Sequence, residues 1–222
     1  MRMRLKKHLE ERIAECNAVL LAREGDDFYK LTAEEKKFHI NLEQVFGNNN
    51  PVILEIGCGK GAWAIQSAQL HHDINYLALE KLSNVIVVAC EDANRLGLQN
   101  VKFLNCRAEN LDCFLHPHSV DGIALNFSCP FPKKTYANRR LTSKYFLELY
   151  KRILKPNAVI CQKTDDLCFF EWSIESYKEN GYEVYDICYD LPANAGGNIV
   201  TEYEAKFRSI GKPIYSLKAK IK

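Results

Sequence analysis

Three glycines at alternating positions follow a short apolar run, and this junction constrains the fold more than any other feature of the chain. The run spans residues 52–56 and predicts a buried strand. The glycines come directly after it, at Gly57, Gly59 and Gly61. Glycine permits a tight turn and lets the backbone come close to a ligand. A buried strand, a glycine-rich turn and a following helix therefore indicate an α/β fold with a ligand at the turn.

Strand-like and helical segments alternate through the rest of the chain. Seven strands are predicted, at 52–56, 75–79, 101–106, 120–127, 158–163, 184–189 and 214–219. Helices are predicted among them, at 62–70, 81–96, 143–154, 167–180 and 202–210. This alternation indicates a mainly parallel sheet with helices on both faces. We therefore predict a doubly wound α/β domain with a seven-stranded sheet, which binds its ligands at the carboxyl ends of the strands.

The first 50 residues precede this alternation and form a predicted helical extension. Apolar positions at helical spacing predict a helix over 5–24, which ends at Gly25, and a second short helix over about 33–45. The glycine, asparagines and proline of 47–51 mark a break. We divide the chain there into an extension, 1–50, and a main domain, 51–222.

Composition excludes several classes of protein. No apolar run approaches the roughly 18 residues that a membrane helix needs. The basic N-terminus lacks the apolar core of a signal peptide, so we expect a cytoplasmic protein that does not bind a membrane. The nine cysteines are irregularly spaced without a Cys-x-x-Cys pair, which predicts buried thiols and no metal site. The sequence leaves open whether the protein is a monomer or a homodimer.

An acidic residue, Glu80, follows the second predicted strand and can accept hydrogen bonds from both hydroxyls of a ribose. Two cofactors fit this layout. The spacing Gly-x-Gly-x-x-Ala over 57–62 matches a dinucleotide site, whereas Glu-x-Gly-x-Gly-x-Gly over 55–61 matches the S-adenosylmethionine loop of class I methyltransferases. Glu55 favours the second, because a carboxylate can hold an amino group but lies badly beside a pyrophosphate. A purely structural glycine turn is the remaining alternative.

Further segments resemble, in order, the motifs of the bacterial tRNA (guanine-N7)-methyltransferase family. They are Asn-Phe-Ser-Cys-Pro-Phe-Pro-Lys-Lys over 126–134, Arg-Arg-Leu-Thr over 139–142, Lys-Thr-Asp over 163–165, and Asn-Ile-Val-Thr-Glu-Tyr-Glu-Ala-Lys-Phe over 198–207. The resemblance covers nearly the whole chain. It implies an S-adenosylmethionine-dependent enzyme that methylates N7 of a guanosine in the variable loop of tRNA.

The resemblance also assigns residues to the site. Together with the glycine loop it implies that the cofactor is bound by Glu55, Gly57, Gly59, Gly61, Glu80, Arg107 and Ala108. It implies that the tRNA or its guanine is contacted by Lys133, Asp165, Thr201, Glu202, Tyr203 and Glu204. Asp165 and Cys129 are the candidate catalytic residues.

These residue types suit the reaction. Guanine N7 carries a free lone pair, so methylation removes no proton from it and catalysis is mostly positioning. A carboxylate such as Asp165 would accept hydrogen bonds from the guanine N1–H and amino group. The basic side chains Lys133, Lys134, Arg139 and Arg140 would neutralise phosphates. Whether the second basic cluster, at 2–7, contacts RNA or is a solvated face stays open. Structural roles remain open: residues 165–166 and 202–204 also suit the first turns of helices.

Three positions depart from the family pattern. Cys129 stands in Cys-Pro-Phe-Pro where the family has Asp-Pro-Trp-Pro, Arg107 stands where an acid or amide is usual, and Pro192 replaces a histidine. Loss of one charge-assisted contact would slow an enzyme by about tenfold to a hundredfold. Two alternatives therefore stay open: a tRNA-binding relative with weak or no activity, and a methyltransferase with a shifted RNA substrate. A nicotinamide-dependent oxidoreductase is a more distant one.

Overall fold

A computed structural model describes residues 6–222, and in this part of the chain eight strands form one sheet with helices on both faces. The strands are β1 (Leu20–Arg23), β2 (Val52–Ile56), β3 (Asn75–Leu79), β4 (Val101–Asn105), β5 (Val120–Asn126), β6 (Leu154–Thr164), β7 (Tyr182–Cys188) and β8 (Tyr215–Ile221). The helices are α1 (Leu9–Ala14), α2 (Leu42–Phe46), α3 (Ala62–Leu70), α4 (Ser83–Arg95), α5 (Leu111–Phe114), α6 (Lys144–Ile153), α7 (Leu167–Glu179) and α8 (Glu202–Ser209). Short 3₁₀ helices lie at Asp26–Lys30, Ala108–Asn110 and Lys134–Arg139.

The strand order is β1-β4-β3-β2-β5-β6-β8-β7, and β1 to β6 run parallel to their neighbours. Only β8 is antiparallel, to β6 on one side and β7 on the other. From β2 the chain first builds outward through β3 and β4, and then returns to the other side of β2 with β5. The loops after β2 and β5 thus leave the sheet in opposite directions and open a crevice. The predicted doubly wound, mainly parallel fold is confirmed.

Each face of the sheet has its own apolar core. Side chains alternate along β3, so that Tyr76 and Ala78 face one core and Leu77 and Leu79 face the other. The helices α3 and α4 cover the first face, whereas α2, α5, α6 and α7 cover the second. The central strands are buried on both faces, which explains their nearly continuous apolar sequences.

The predicted count of seven strands is wrong, because the helix predicted over 5–24 covers the residues of β1. The helix α1 ends at Ala14, and Leu20–Arg23 instead adds a parallel strand beside β4. The N–H of Phe103 donates to the Val19 carbonyl oxygen at 2.8 Å, and the N–H of Glu24 donates to that of Asn105 at 2.9 Å. A short apolar run fits a helix and a strand equally well, and the free edge of β4 decides between them. The division at residue 50 stays a prediction, although β1 belongs to the main sheet.

The helix expected over about 33–45 was wrong as well, since only its end, Leu42–Phe46, is helical. The chain leaves a turn after Lys36, where the N–H of Phe38 donates to the Cys113 carbonyl oxygen at 2.8 Å. Ile40 then forms an isolated bridge with Leu115. Backbone pairing with a distant segment thus replaces the local helix. Arg2 and Arg4 of the basic cluster at 2–7, and Leu5 at the start of the predicted N-terminal helix, lie outside the described residues.

Candidate functional site

The glycine-rich turn after β2 is held against the end of β3. The N–H groups of Gly57 and Cys58 both donate to the Leu79 carbonyl oxygen, at 2.7 and 2.9 Å. Gly57, with φ at 83°, has open space where a side chain would begin. Gly61, with φ at 78°, would place a Cβ 2.6 Å from that of Ala89. Gly57 therefore keeps the turn accessible to a ligand, and Gly61 lets α3 pack closely on α4.

A cleft of about 470 Å³ opens above this turn, at the crevice between β2 and β5. Its walls come from the turn and α3, from the ends of β2, β3 and β5, and from the start of α8, and they include Glu55, Gly57, Cys58, Gly59, Trp63, Glu80, Asn126, Phe127, Thr201, Glu202 and Tyr203. A second compartment of about 600 Å³ adjoins it, lined by Arg107, Ala108, Ser128, Cys129, Phe131 and Arg139 among others. Gly57, Glu80 and Phe127 line both, so one elongated ligand can occupy the two.

Glu55 is the buried acid of the cleft, with only 3% of its surface exposed. Its Oε1 accepts a 2.9 Å hydrogen bond from the Asn126 side-chain amide, whereas its buried Oε2 makes no hydrogen bond of normal geometry within the described residues. Burial raises the pKa of Glu55 to about 7, although the hydrogen bond from Asn126, the charge of Lys163 and the nearby Ala64 amide each oppose that rise. An acceptor left without a partner in a ligand-sized cleft fits a cationic amino group.

Glu80 lies at the end of β3, where both compartments meet. Its Oε1 accepts from the Leu82 N–H at 2.9 Å, and its backbone N–H donates to the Leu104 carbonyl oxygen at 3.1 Å. The Asn105 side-chain amide donates to the Glu80 carbonyl oxygen at 2.8 Å. These contacts fix a half-buried carboxylate beside the glycine turn. Glu55 lines only the first compartment, whereas Glu80 lines both.

The predicted cofactor-binding residues Arg107 and Ala108 line the second compartment. Ala108 is buried, and Arg107 is exposed. The backbone N–H of Arg107 donates to Glu24 Oε1 at 2.9 Å, and its guanidinium lies over the ring of Tyr29 at 5.8 Å. The segment after β1 therefore orders this rim, which the sequence did not indicate.

The basic loop lies on the other rim of the second compartment. Cys129 is exposed there beside Phe131, and Lys133 and Lys134 are exposed farther along the loop. The guanidinium of Arg139 lies between two rings, 5.8 Å from that of Phe131 and 5.2 Å from that of Tyr136. Cations and aromatic rings together on one rim suit an RNA chain.

Arg140 lies apart from that rim and is only 8% exposed. Its Nε donates to the Pro130 carbonyl oxygen at 2.9 Å and its Nη2 to that of Phe131 at 3.1 Å. Its guanidinium also lies 4.4 Å from the Trp172 ring centroid. These contacts hold the loop that carries Cys129, whereas the predicted phosphate contact of Arg140 stays a prediction.

The predicted residues at the start of α8 lie in two different environments. Thr201 caps the helix, because its hydroxyl accepts from the Glu204 N–H at 3.0 Å. Glu202 and Tyr203 are exposed and line the cleft. Glu204 is fully buried and points away into a network with Lys163, Asn198 and Arg208. Burial would raise the pKa of Glu204, but the hydrogen bonds from these three side chains outweigh it and hold the pKa below its ordinary value.

Asp165 follows β6 and is not one of the residues described as lining the two compartments. Its Oδ2 accepts from Lys212 Nζ at 2.9 Å, and that ammonium lies 4.8 Å from the Phe207 ring centroid. The neighbouring Asp166 caps α7 by accepting from the Phe169 N–H at 2.8 Å. Asp166 therefore has the capping role considered for this acidic pair, whereas Asp165 is half-buried and paired with Lys212.

Sequence reasoning missed several residues that shape the cleft. Asn126 and Lys163 belong to the quoted motifs, but nothing in the sequence said that one holds Glu55 and the other Glu204. Phe127 has a positive φ of 52° and stacks on Tyr203 and Phe207, at 6.3 and 6.1 Å between ring centroids. For Asn126, Phe127 and Lys163, the only available signal was membership in a quoted motif. No signal in the sequence pointed to Trp63.

The described part of the chain contains no cluster of three or more histidine, cysteine or acidic side chains arranged to hold a metal ion. No helix among residues 6–222 is both long and apolar enough to cross a membrane.

Comparison with known proteins gives the family. A family model described as "Putative methyltransferase" matches residues 49–217. The tRNA (guanine-N(7)-)-methyltransferase of Bacillus subtilis is 37% identical over 216 residues, which cover 97% of this chain and 96% of that protein. The protein of the same name from Streptococcus thermophilus is 38% identical over 224 residues, which cover both chains in full.

Solved structures agree on the fold. The 16S rRNA methyltransferase KamB superimposes with a TM-score of 0.62 at 19% identity, over 81% of this chain and 91% of that one. A SAM-dependent methyltransferase from Aquifex aeolicus superimposes with a TM-score of 0.56 at 18% identity, over 98% of this chain and all of the other. From its match to the family model and to full-length relatives, the chain belongs to the tRNA (guanine-N7)-methyltransferase family.

Proposed function

We propose that this protein transfers a methyl group from S-adenosylmethionine to N7 of a guanosine in the variable loop of tRNA. The observation that carries the proposal is the cleft between β2 and β5. Glu55, which has one buried and unpaired carboxylate oxygen, lines this cleft, and a second compartment with a basic, aromatic rim adjoins it. The first feature fits the cofactor, and the second fits a base extruded from RNA. We also propose that the protein acts in the cytoplasm.

Two carboxylates would hold the cofactor. Glu55 Oε2 would accept a hydrogen bond from the ammonium of the methionine portion, and Glu80 would accept from the ribose hydroxyls. The backbone of Gly57 and Gly59 leaves room for the cofactor, and Arg107 and Ala108 would lie on its adenine side. When bound, S-adenosylmethionine supplies a methyl group on a positively charged sulfur.

The rest of the site would place guanine N7 in line with that methyl group. Transfer forms the bond from N7 to carbon, breaks the bond from carbon to sulfur and leaves the electron pair on sulfur, so the protein need not remove a proton from N7. Asp165, Glu202 and Tyr203 would orient the base or the tRNA, and Lys133, Lys134 and Arg139 would bind phosphates. Cys129 would lie near the reacting groups without acting as a nucleophile, because no histidine base accompanies it in the described site.

Methyl transfer to unmodified bulk tRNA tests the proposal, with radiolabelled cofactor and identification of the product nucleoside by mass spectrometry. The proposal predicts 7-methylguanosine. A different methylated nucleoside would show a shifted RNA substrate, which the altered Cys129 and Arg107 make the main alternative. No product, with both tRNA and cofactor bound, would show a relative that has lost activity.

A further inference from the structure

Lys163 connects the centre of the sheet, by hydrogen bonds, to the wall of the cleft at the start of α8. Lys163 lies in β6, paired in register with Asn126 of β5. Its Nζ donates three hydrogen bonds, to Asn198 Oδ1 at 3.0 Å, to the Ile199 carbonyl oxygen at 2.9 Å and to Glu204 Oε2 at 2.9 Å. Three donors on three acceptors use the full capacity of an ammonium group. Its side chain is only 11% exposed, so the ammonium lies in the interior and all of its hydrogen bonds are made to the protein.

The carboxylate of Glu204 likewise makes all of its hydrogen bonds to protein side chains. Its Oε2 accepts from Lys163, and its Oε1 accepts from the side chains of Asn198 at 2.8 Å and Arg208 at 2.7 Å. Arg208 reaches further, since its Nη2 also donates to the Leu191 carbonyl oxygen at 2.6 Å. Both oxygens of a fully buried carboxylate are thus occupied by protein donors, which leaves none for a ligand.

The segment that this network holds is a wall of the cofactor cleft. Thr201, Glu202 and Tyr203 line the cleft directly, and Tyr203 stacks on Phe127, which lines both compartments. We propose that Lys163 is a positioning residue for cofactor binding: it fixes this wall through Glu204, which is its buried anchor and not a contact to tRNA. The inference rests on the proposed function only in taking the cleft to be the S-adenosylmethionine site.

Lys163 also acts on the acid at the opposite side of the cleft. Its partner across the strands, Asn126, donates to Glu55, and the positive charge of Lys163 helps to lower the pKa of Glu55 against the effect of burial. Removing the charge should therefore move the titration of Glu55 to higher pH. A purely structural role in holding α8 would leave that titration unchanged, so the two roles can be told apart.

The test compares Lys163→Met with Lys163→Arg and Glu204→Gln, and uses Lys206→Met on the exposed face of α8 as the matched control. Hydrogen exchange over 198–208 is measured in the ligand-free protein, and S-adenosylmethionine affinity is measured by calorimetry across pH. Lys163→Met should speed exchange over 198–208 and raise the dissociation constant by about tenfold to a hundredfold, because the buried Glu204 loses a charge-assisted hydrogen bond that holds the wall. It should also shift the acidic limb of binding to higher pH, and Lys163→Arg should restore most of the affinity.

The control variant should match the wild type in every measurement. Exchange and affinity in Lys163→Met within about twofold of wild type would overturn the proposal. If Lys163→Met does not fold, Glu204→Gln decides: it keeps the shape of the side chain, and unchanged exchange and affinity in it would equally overturn the inference. Failure of the proposed function gives a different result, because a wild type that binds the cofactor but methylates no tRNA still shows these effects of Lys163.

Discussion

Lowering the pH through neutrality should weaken S-adenosylmethionine binding, because it protonates Glu55. Burial raises the pKa of this group to about 7 in the ligand-free protein. Only the ionised carboxylate attracts the ammonium of the cofactor, whereas the protonated form is a neutral partner. Among the described acids that line the cleft, no other is buried as deeply as Glu55. Affinity should therefore rise with the ionised fraction of Glu55.

The magnitude follows from that pKa. With a value of about 7, the ionised fraction is about 0.09 at about pH 6 and about 0.5 at about pH 7, so the dissociation constant should fall about fivefold between them. Above about pH 7.7 the α-amino group of the cofactor loses its own proton, which limits any further gain. The profile should be bell-shaped, with Glu55 responsible for its acidic limb.

Isothermal titration calorimetry from about pH 5.5 to about pH 8.5 measures this profile, and buffers of different ionisation enthalpy report the proton released by Glu55 on binding. Glu55→Gln should bind about tenfold to a hundredfold more weakly near the optimum and should lack the acidic limb, while it keeps the alkaline limb of the ligand. A flat acidic side in the wild type, or an unchanged acidic limb in Glu55→Gln, would refute the assignment of Glu55.

Four further predictions concern single side chains. Because the pKa of Glu55 is raised in the folded protein, its ionisation opposes folding, and Glu55→Gln should stabilise the ligand-free protein by about 3 kcal/mol at about pH 8. This gain should disappear as the pH falls toward about 4.5, and thermal unfolding across pH measures it. Glu80→Ala should weaken cofactor binding by about tenfold or more through the lost ribose contacts, and equal loss from Glu109→Ala, a nearby exposed acid, would contradict that reason. Arg139→Ala should lower the salt slope of tRNA binding by about 1. Arg140→Ala should lower the melting temperature, because Arg140 is buried against backbone carbonyls, and an unchanged salt slope in this variant would refute its predicted phosphate contact. Cys129→Ser should keep single-turnover transfer within a few-fold, and abolished transfer would identify the thiol as a nucleophile.

The order of elements after residue 50 could be predicted because pattern and pairing agree there. The apolar run of β2, the glycine turn and α3 lie within the predicted bounds, since each central strand is buried on both faces and each helix has one apolar side. The edge strand β1 could not be predicted, because Leu20–Arg23 gains its conformation from the open edge of β4 and not from its own sequence. Pairing between distant segments overrides local preference at such edges.

The site residues also divide into those whose place could be predicted from the sequence and those whose place could not. Residues adjacent to strand ends, such as Glu55, Glu80 and Phe127, lie at the cleft because the topology carries the ends of parallel strands to one edge. The sequence gives no means to tell which of two motif acids faces the ligand. Glu202 lines the cleft whereas Glu204, two residues later on the same helix, turns inward to Lys163. The contrast between Arg139 and Arg140 has the same origin, because adjacent residues on one segment point to different surroundings.

Replacing guanine N7 tests most directly whether that atom accepts the methyl group. Two tRNA transcripts would be compared that differ only at the methylated guanosine of the variable loop, where one carries 7-deazaguanosine, with a carbon in place of N7. Both transcripts should bind with similar affinity. The ordinary transcript should receive one methyl group at that guanosine, and the modified transcript should receive none. Equal methylation of the two transcripts would contradict transfer to N7, since the acceptor would then be another atom.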